Sequence, residues 1–142
     1  MSAADFLDTN VLVYLFDETD GRKRSIASEL VRAALASGEA CISFQVVQET
    51  LQVVTRKLDP PATAAEAGRL LEDVLAPLWT VSPAPALYRR VLDLRERHGL
   101  SFYDALIVAA ALEAGCSRLL SEDLQDGQRI ERLTIENPFA ER

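Results

Sequence analysis

The chain has 142 residues, of which 49% are hydrophobic and 26% are charged, and it lacks an apolar run of membrane-spanning length. These values exclude a disordered chain and predict one compact domain over residues 1–142. The 15 basic and 22 acidic side chains give a net charge of −7, which argues against a protein that binds nucleic acid by charge alone. An acidic nuclease remains compatible with this charge, because divalent cations bound to carboxylates reverse the local field.

The start of the chain and its cysteines bear on its location and on zinc binding. Met1-Ser2-Ala3-Ala4-Asp5 lacks the basic head and the apolar stretch of an export signal, so we expect a cytoplasmic protein. Cys41 and Cys116 have no CxxC spacing and no histidine partners, which argues against a structural zinc site. We expect both cysteines to be reduced core residues.

The apolar pattern predicts strands that alternate with helices. A strand ending at Leu7 leads through a turn at Asp8-Thr9-Asn10 into a short helix. Apolar residues recurring at intervals of three and four predict further helices over 24–37, 44–58, 63–76, 84–98 and 102–114. The helix over 102–114 is apolar nearly all round, so it should be central. Short apolar runs predict further strands over 40–43, 78–81, 118–121 and 133–135.

This alternation indicates an α/β fold. We predict a three-layer α/β/α sandwich around a central, mostly parallel sheet of about five strands, because helical crossovers join parallel strands and cover both faces. In such sheets the functional site lies at the carboxyl ends of the strands.

Four acidic residues are predicted to meet at that edge. Asp8 and Asp123 follow two predicted strands, Asp104 lies one turn into the central helix, and Glu49 lies in the helix that follows another strand. Glu49 shares the polar face of its helix with residues at helical spacing, namely Gln45, Gln52 and Arg56. Clustered carboxylates repel one another, and a divalent cation relieves this repulsion. Oxygen ligands without cysteine or histidine favour Mg²⁺ or Mn²⁺, which activate water and neutralise charge on a phosphodiester.

Each acid also has an ordinary structural explanation. Asp8 can cap the following helix, and Asp104 is the fourth residue of the capping-box-like Ser101-Phe102-Tyr103-Asp104. Asp123 lies in a polar turn, and Glu49 lies on a helix face that is usually solvated. The functional interpretation is favoured because all four are predicted at one edge of one sheet.

The same segments resemble the successive signatures of PIN-domain ribonucleases, and most closely those of VapC-type toxins of bacterial toxin-antitoxin pairs. The resemblance covers essentially the whole chain. It is carried by Asp8-Thr9-Asn10 with the apolar run after it, by Glu49, by Ser101-Phe102-Tyr103-Asp104-Ala105-Leu106-Ile107, and by Leu119-Leu120-Ser121-Glu122-Asp123-Leu124.

The resemblance implies a metal-dependent endoribonuclease with Asp8, Glu49, Asp104 and Asp123 as catalytic, metal-binding acids. Asn10 and Ser121 resemble the small polar residues that steady the cluster. The serine two residues before the last acid favours Asp123 over Glu122 as the ligand, with Glu122 or Asp126 as possible helpers. The resemblance further implies an RNA substrate, a VapB-like antitoxin partner and a homodimer.

Two other functions are open at this stage. A magnesium-dependent phosphoryl-accepting or phosphatase domain also gathers acids at strand ends. Against it, the predicted third strand lacks an acceptor aspartate, and Lys23 and Lys57, the only lysines, lie far from the predicted fifth strand in sequence. A catalytically silent domain that only binds a partner is the other alternative, although all four expected acids are present.

Other side chains are candidates for RNA contact. The basic groups Arg22-Lys23-Arg24 and Arg89, Arg90, Arg95 and Arg97 could meet phosphates, but basic residues on helix faces are more often solvated. Among the aromatic residues, Tyr103 is the best candidate for base stacking because it adjoins Asp104. The single histidine, His98, ends a helix and is not expected to act as a general base.

Overall fold

The structure, a computed structural model, describes residues 4–141. Met1, Ser2 and Ala3, part of the start in which we expect no export signal, lie outside the described residues. Among the residues described, none of the helices combines the length and apolar character that a membrane span requires.

Six short strands form one sheet. They are β1 (Asp5–Leu7), β2 (Ala40–Ser43), β3 (Trp79–Val81), β4 (Arg118–Leu120), β5 (Arg129–Ile130) and β6 (Leu133–Glu136). Their order across the sheet is β3-β2-β1-β4-β6-β5, and every neighbouring pair is parallel except β5 with β6. The central strand β1 pairs Phe6 with Cys41 on one side and with Leu119 on the other.

Helices connect the parallel strands and flank the sheet. They are α1 (Thr9–Val13), α2 (Gly21–Ser37), α3 (Phe44–Arg56), α4 (Ala64–Leu70), α5 (Ala76–Leu78), α6 (Pro85–His98) and α7 (Phe102–Glu113). A 3₁₀ turn over Tyr14–Phe16 follows α1, and a π-helical turn over Leu71–Leu75 joins α4 to α5. The predicted α/β class with a mostly parallel sheet is confirmed, with one strand more than expected.

Local capping explains where the helices begin and end. Asp20 accepts a hydrogen bond from the backbone N–H of Lys23 at 3.0 Å, so α2 begins at Gly21 and not at residue 24. Gly38 ends the same helix in the left-handed conformation, at φ 69°. Ser43 directly joins β2 to α3 as the N-cap, which brings the first turns of α3 to the carboxyl end of the strand.

The core surrounds the sheet, and α7 is its most extensively buried helix. Every residue of this helix from Ala105 to Leu112 is buried, as its uniformly apolar sequence predicts. Cys41 and Cys116 are both free and buried, with their sulfur atoms 3.6 Å apart. This agrees with the expectation that they are reduced core residues.

Candidate functional site

The four acids predicted from the sequence line one cleft of about 630 Å³. Asp8 is the N-cap of α1 directly after β1, and Asp123 follows β4. Glu49 lies in the middle of α3, and Asp104 lies in the first turn of α7. Because β1, β2 and β4 are adjacent and parallel, the segments that follow them meet at one edge of the sheet. Their roles as metal ligands remain predictions.

Asp8 lies at the floor of the cleft and is 7% exposed. Its Oδ1 accepts the backbone N–H of Thr9 at 2.7 Å, and its Oδ2 accepts the hydroxyl of Ser121 at 2.7 Å. Asp8 therefore does cap α1, as the structural explanation predicts. A cap on an exposed helix end would not need burial, so capping alone does not account for this environment.

Burial raises the pKa of the Asp8 carboxyl from 3.8 to about 6. The hydrogen bonds from Ser121 and Thr9 oppose this rise in pKa, while the carboxylates of Asp123 and Glu49 add to it. The negative charges of Asp123 and Glu49 therefore act on Asp8 in a poorly solvated position. A cation in the cleft would stabilise the ionised form of Asp8.

Ser121 and Asn10 hold the acids in position. Ser121 is fully buried, and its Oγ accepts the backbone N–H of Asp123 at 3.1 Å while donating to Asp8. The Nδ2 of Asn10 donates to Asp123 Oδ2 at 3.2 Å. Asn10 also accepts the backbone N–H of Glu122 at 3.3 Å, which ties the loop after β4 to α1. This geometry is the kind of support that the resemblance implies for these two residues.

Thr9 is a site residue that the sequence reasoning did not single out. Its hydroxyl donates to Glu49 Oε1 at 3.0 Å and so links α1 to α3. The only signal was its position inside Asp8-Thr9-Asn10, because no pattern in sequence connects residues 40 positions apart.

The first turn of α7 is held against α3. Ser101 accepts the backbone N–H of Asp104 at 3.2 Å, which is one half of a capping box. Within residues 4–141, no hydrogen bond or ion pair engages the Asp104 carboxylate, so it is free for a ligand. Gln45 donates its amide Nε2 to the carbonyl of Tyr103 at 3.2 Å.

Gln45 corrects an expectation from the sequence. Helical spacing groups it with Glu49, Gln52 and Arg56 on a polar face, but Gln45 is only 4% exposed because α7 covers this end of α3. Its Oε1 is buried at the cleft and has no hydrogen-bond partner within the described residues.

Glu122 and Asp126, the two acids suggested as assisting residues, have partners outside the cleft. Glu122 accepts the hydroxyl of Tyr14 at 2.6 Å and forms an ion pair with Lys23. Asp126 accepts the backbone N–H of Asn137 at 2.9 Å. Neither residue lines the cleft, whereas Asp123 does.

The donor set determines what the cleft could hold. In the part of the chain that the structure describes, no group of three or more acidic, histidine or cysteine side chains forms a ready-made metal site. An ion in the cleft would therefore be held directly by fewer than three of these side chains. Mg²⁺ suits such an arrangement, because it keeps several waters and needs only one or two direct carboxylates plus substrate phosphates. Buried Asp8, the free carboxylate of Asp104 and the exposed Asp123 suit that kind of binding.

Three of the seven basic residues suggested for RNA contact form ion pairs within the protein. Lys23 pairs with Glu122, and Arg90 and Arg97 both pair with Glu131. The cleft does contain a basic residue, Lys57, which the sequence reasoning used only as an argument against a phosphoryl-accepting domain. Lys57 lines the same cleft as the acids, so its distance in sequence from the predicted fifth strand does not count against a phosphoryl-accepting domain.

Comparisons with known proteins agree with this fold. The structure is similar to a toxin-antitoxin complex from Klebsiella pneumoniae, with a TM-score of 0.70 and 20% identity over 95% of this chain and 98% of the other. It is similar to VapC20 of Mycobacterium tuberculosis, described as a sarcin-ricin loop cleaving toxin, with a TM-score of 0.60 and 22% identity over 84% and 92% of the two chains. VapBC2 from Rickettsia felis, bound to a promoter DNA fragment, matches with a TM-score of 0.63 and 18% identity over 94% and 98%.

These structural similarities fall below the identity at which more than the fold can be transferred, and a sequence comparison with curated proteins finds no match. The family assignment rests on the sequence itself, because residues 6–132 match the PIN domain. That match includes all four acids of the cleft as well as Asn10 and Ser121. The chain belongs to the PIN domain family.

Proposed function

We propose that this chain is a metal-dependent endoribonuclease that hydrolyses RNA phosphodiester bonds at the acid-lined cleft. The observation that carries the proposal is that four carboxylates from separate segments, Asp8, Glu49, Asp104 and Asp123, line the same cleft. The proposal takes residues 1–142 as a single nuclease domain that acts in the cytoplasm.

The four acids would hold Mg²⁺ or Mn²⁺, one or two of them directly and the others through the waters that the ion keeps. When bound, the ion supplies Lewis acidity, which lowers the pKa of water and neutralises charge on the phosphodiester. The chain supplies the rest of the chemistry. Ser121 and Asn10 fix the orientation of Asp8 and Asp123, and Thr9 fixes that of Glu49. In the described part of the chain, no histidine lines the cleft to activate a protein nucleophile, and the proposal takes water as the nucleophile.

The toxin of a type II toxin-antitoxin system is the biological role we propose. Its support is the resemblance to VapC-type toxins and the similar folds of proteins described as toxin-antitoxin complexes. RNA as the substrate is supported by the described activity of VapC20. The partner would be a small VapB-like antitoxin whose tail enters the cleft, with an arginine suited to pairing with the carboxylates. A homodimer is part of the same proposal.

Cleavage of a mixed RNA pool tests the proposal. The purified protein would be incubated with the pool in Mg²⁺, in Mn²⁺ or in chelator, and the new RNA ends would be mapped. We expect cleavage with either ion, none in chelator, and none by Asp104→Asn. A catalytically silent domain would give no cleavage under any condition. A phosphoryl-accepting domain would instead become labelled by a phosphoryl donor, which the nuclease proposal excludes.

A further inference from the structure

We propose, on the basis of the proposed function, that Lys57 binds an RNA phosphate remote from the scissile one. The α3 side of the cleft would then be a track for single-stranded RNA. The track begins at the acids and ends at Lys57, the residue that caps the carboxyl end of α3.

One helix forms this side of the cleft. The lining residues it contributes recur on successive turns, so they form a continuous row along α3. The row ends with Lys57, which directly follows the helix, and its members are Gln45, Gln48, Glu49, Gln52, Val53 and Lys57. Glu49 and Lys57 are its charged members, and its other polar members are neutral glutamines.

Lys57 is the one cationic residue that lines the cleft in the described part of the chain. It is exposed, and no ion pair or hydrogen bond engages its ammonium group. Lys23, Arg90 and Arg97, by contrast, are neutralised by Glu122 and Glu131. In a protein of net charge −7, an unpaired cation in the cleft is the group best suited to attract a phosphate.

The spacing favours a phosphate other than the scissile one as the partner of Lys57. Lys57 lies eight positions after Glu49, which corresponds to about 12 Å along a helix axis at ~1.5 Å per residue. The lysine therefore lies about two turns of helix beyond the acid of its own row. The contact would be to a phosphate further along the same strand.

The amides of this row suit a nucleic acid chain. Gln45 offers a buried Oε1 that has no partner among residues 4–141, and it lies at the end of the row nearest α7. Such an unpaired acceptor is costly unless a donor meets it. Sugar hydroxyls and base amino groups of RNA are donors of this kind, and the exposed amides of Gln48 and Gln52 can pair with base edges.

A purely structural role for Lys57 is the alternative. A lysine at the carboxyl end of a helix interacts favourably with the helix dipole, which would stabilise α3 without contacting any ligand. Such a role changes the free energy of unfolding but leaves the salt dependence of RNA binding unchanged. The two roles can therefore be separated by experiment.

The test measures RNA binding by fluorescence anisotropy with a labelled, mixed-sequence single-stranded RNA of twelve nucleotides. All proteins carry Asp104→Asn to prevent cleavage, and binding is followed over a series of NaCl concentrations in Mg²⁺. Lys57→Gln is compared with Arg56→Gln, which removes the same charge from the adjacent exposed residue that does not line the cleft. Lys57→Arg tests whether a positive charge suffices.

We expect Lys57→Gln to weaken binding about two- to fivefold at low salt and to reduce the slope of log Kd against log salt by about 0.7. Arg56→Gln and Lys57→Arg should keep the parent slope. A neutral methylphosphonate moved along the RNA should weaken binding to the parent at a linkage away from the cleavage point, and this loss should vanish in Lys57→Gln.

Equal slopes for Lys57→Gln and Arg56→Gln would overturn the inference, as would the absence of a remote linkage with this behaviour. Lys57 would then stabilise the helix or meet a protein partner. If the protein neither binds nor cleaves RNA in any form, the proposed function itself fails. The two failures are therefore distinguishable.

Discussion

Ser121 donates its hydroxyl hydrogen to Asp8 Oδ2 across 2.7 Å, and it does so from a fully buried position. The Oγ of Ser121 also accepts the backbone N–H of Asp123 at 3.1 Å. One hydroxyl therefore connects Asp8, which follows β1, with Asp123, which follows β4. This link makes Ser121 the most informative residue for testing how the cleft is supported.

Ser121→Ala should reduce both metal affinity and stability. The change leaves a carboxylate oxygen and a backbone N–H without partners, which should cost about 1–3 kcal/mol in the free energy of unfolding. Loss of such support should weaken metal affinity by ~10–100-fold. Denaturant unfolding and metal titration measure the two effects. Ser117→Ala, which removes a hydroxyl just before β4 and outside the cleft, is the control and should leave metal affinity unchanged.

The raised pKa of Asp8 predicts a pH dependence of stability in the metal-free protein. Its pKa in the folded state is about 6 against a reference of 3.8, so between these values the folded state binds more protons. The contribution of Asp8 to stability is therefore fully present below pH ~4 and is lost as pH rises through about 6. The loss should approach about 3 kcal/mol at pH 7, because each pKa unit corresponds to ~1.4 kcal/mol.

Asp8→Asn isolates this effect because it cannot ionise. In chelator, the stability of the parent relative to Asp8→Asn should fall between pH 4 and pH 7 in urea unfolding. Saturating Mg²⁺ should remove most of this fall. A difference that stays constant with pH would contradict the assignment of a destabilised carboxylate at this position.

Asp123 and Glu122 should behave differently although they are adjacent. Asp123 lines the cleft, while Glu122 is bound by Lys23 and Tyr14. Asp123→Asn should lower RNA cleavage by more than ~100-fold, beyond what the loss of supporting residues usually causes. Glu122→Gln weakens hydrogen bonds to a partly buried charge, so it should lower the free energy of unfolding by about 1–3 kcal/mol and retain cleavage within about twofold. Single-turnover cleavage rates measure this, and the reverse ranking would identify Glu122 as the ligand.

Thr9→Val should impair cleavage through Glu49. Valine keeps the shape of threonine but removes the hydroxyl that donates to Glu49 at 3.0 Å. We expect roughly tenfold weaker metal affinity, as for other groups that orient a ligand. Thr9→Ser retains the donor and should behave like the parent. Equal effects of the two substitutions would show that the hydroxyl is not what matters.

The sequence was sufficient for most of the fold because its patterns are local. The uniformly apolar stretch from Ala105 to Leu112 predicts a buried helix, and α7 is one. Strand β5 was missed because two residues, Arg129 and Ile130, are too few to form a period, and its pairing with β6 is a tertiary contact. The start of α2 at Gly21 depends on the capping by Asp20, which an apolar pattern cannot register.

The acids of the site could be predicted from the sequence, but the contacts that support them could not. The acids were found because parallel strands bring their carboxyl ends to one edge, so topology alone relates residues distant in sequence. The contacts of Thr9 with Glu49 and of Gln45 with the carbonyl of Tyr103 were not predicted. Each of them joins two helices, and their packing is a tertiary feature. Helical spacing marked Gln45 as polar but could not reveal that α7 covers it.

The proposed function requires carboxylates distant in sequence to bind one hard cation together. Calorimetric titration of Mn²⁺ into the purified full chain tests it most directly, with Asp8→Asn, Glu49→Gln, Asp104→Asn and Asp123→Asn measured in parallel and folding checked by circular dichroism. We predict saturable binding by the parent that competes with Mg²⁺, and clearly weaker binding by each folded variant. No binding by the parent, or affinity unchanged in the folded Asp8 and Asp104 variants, would contradict the account.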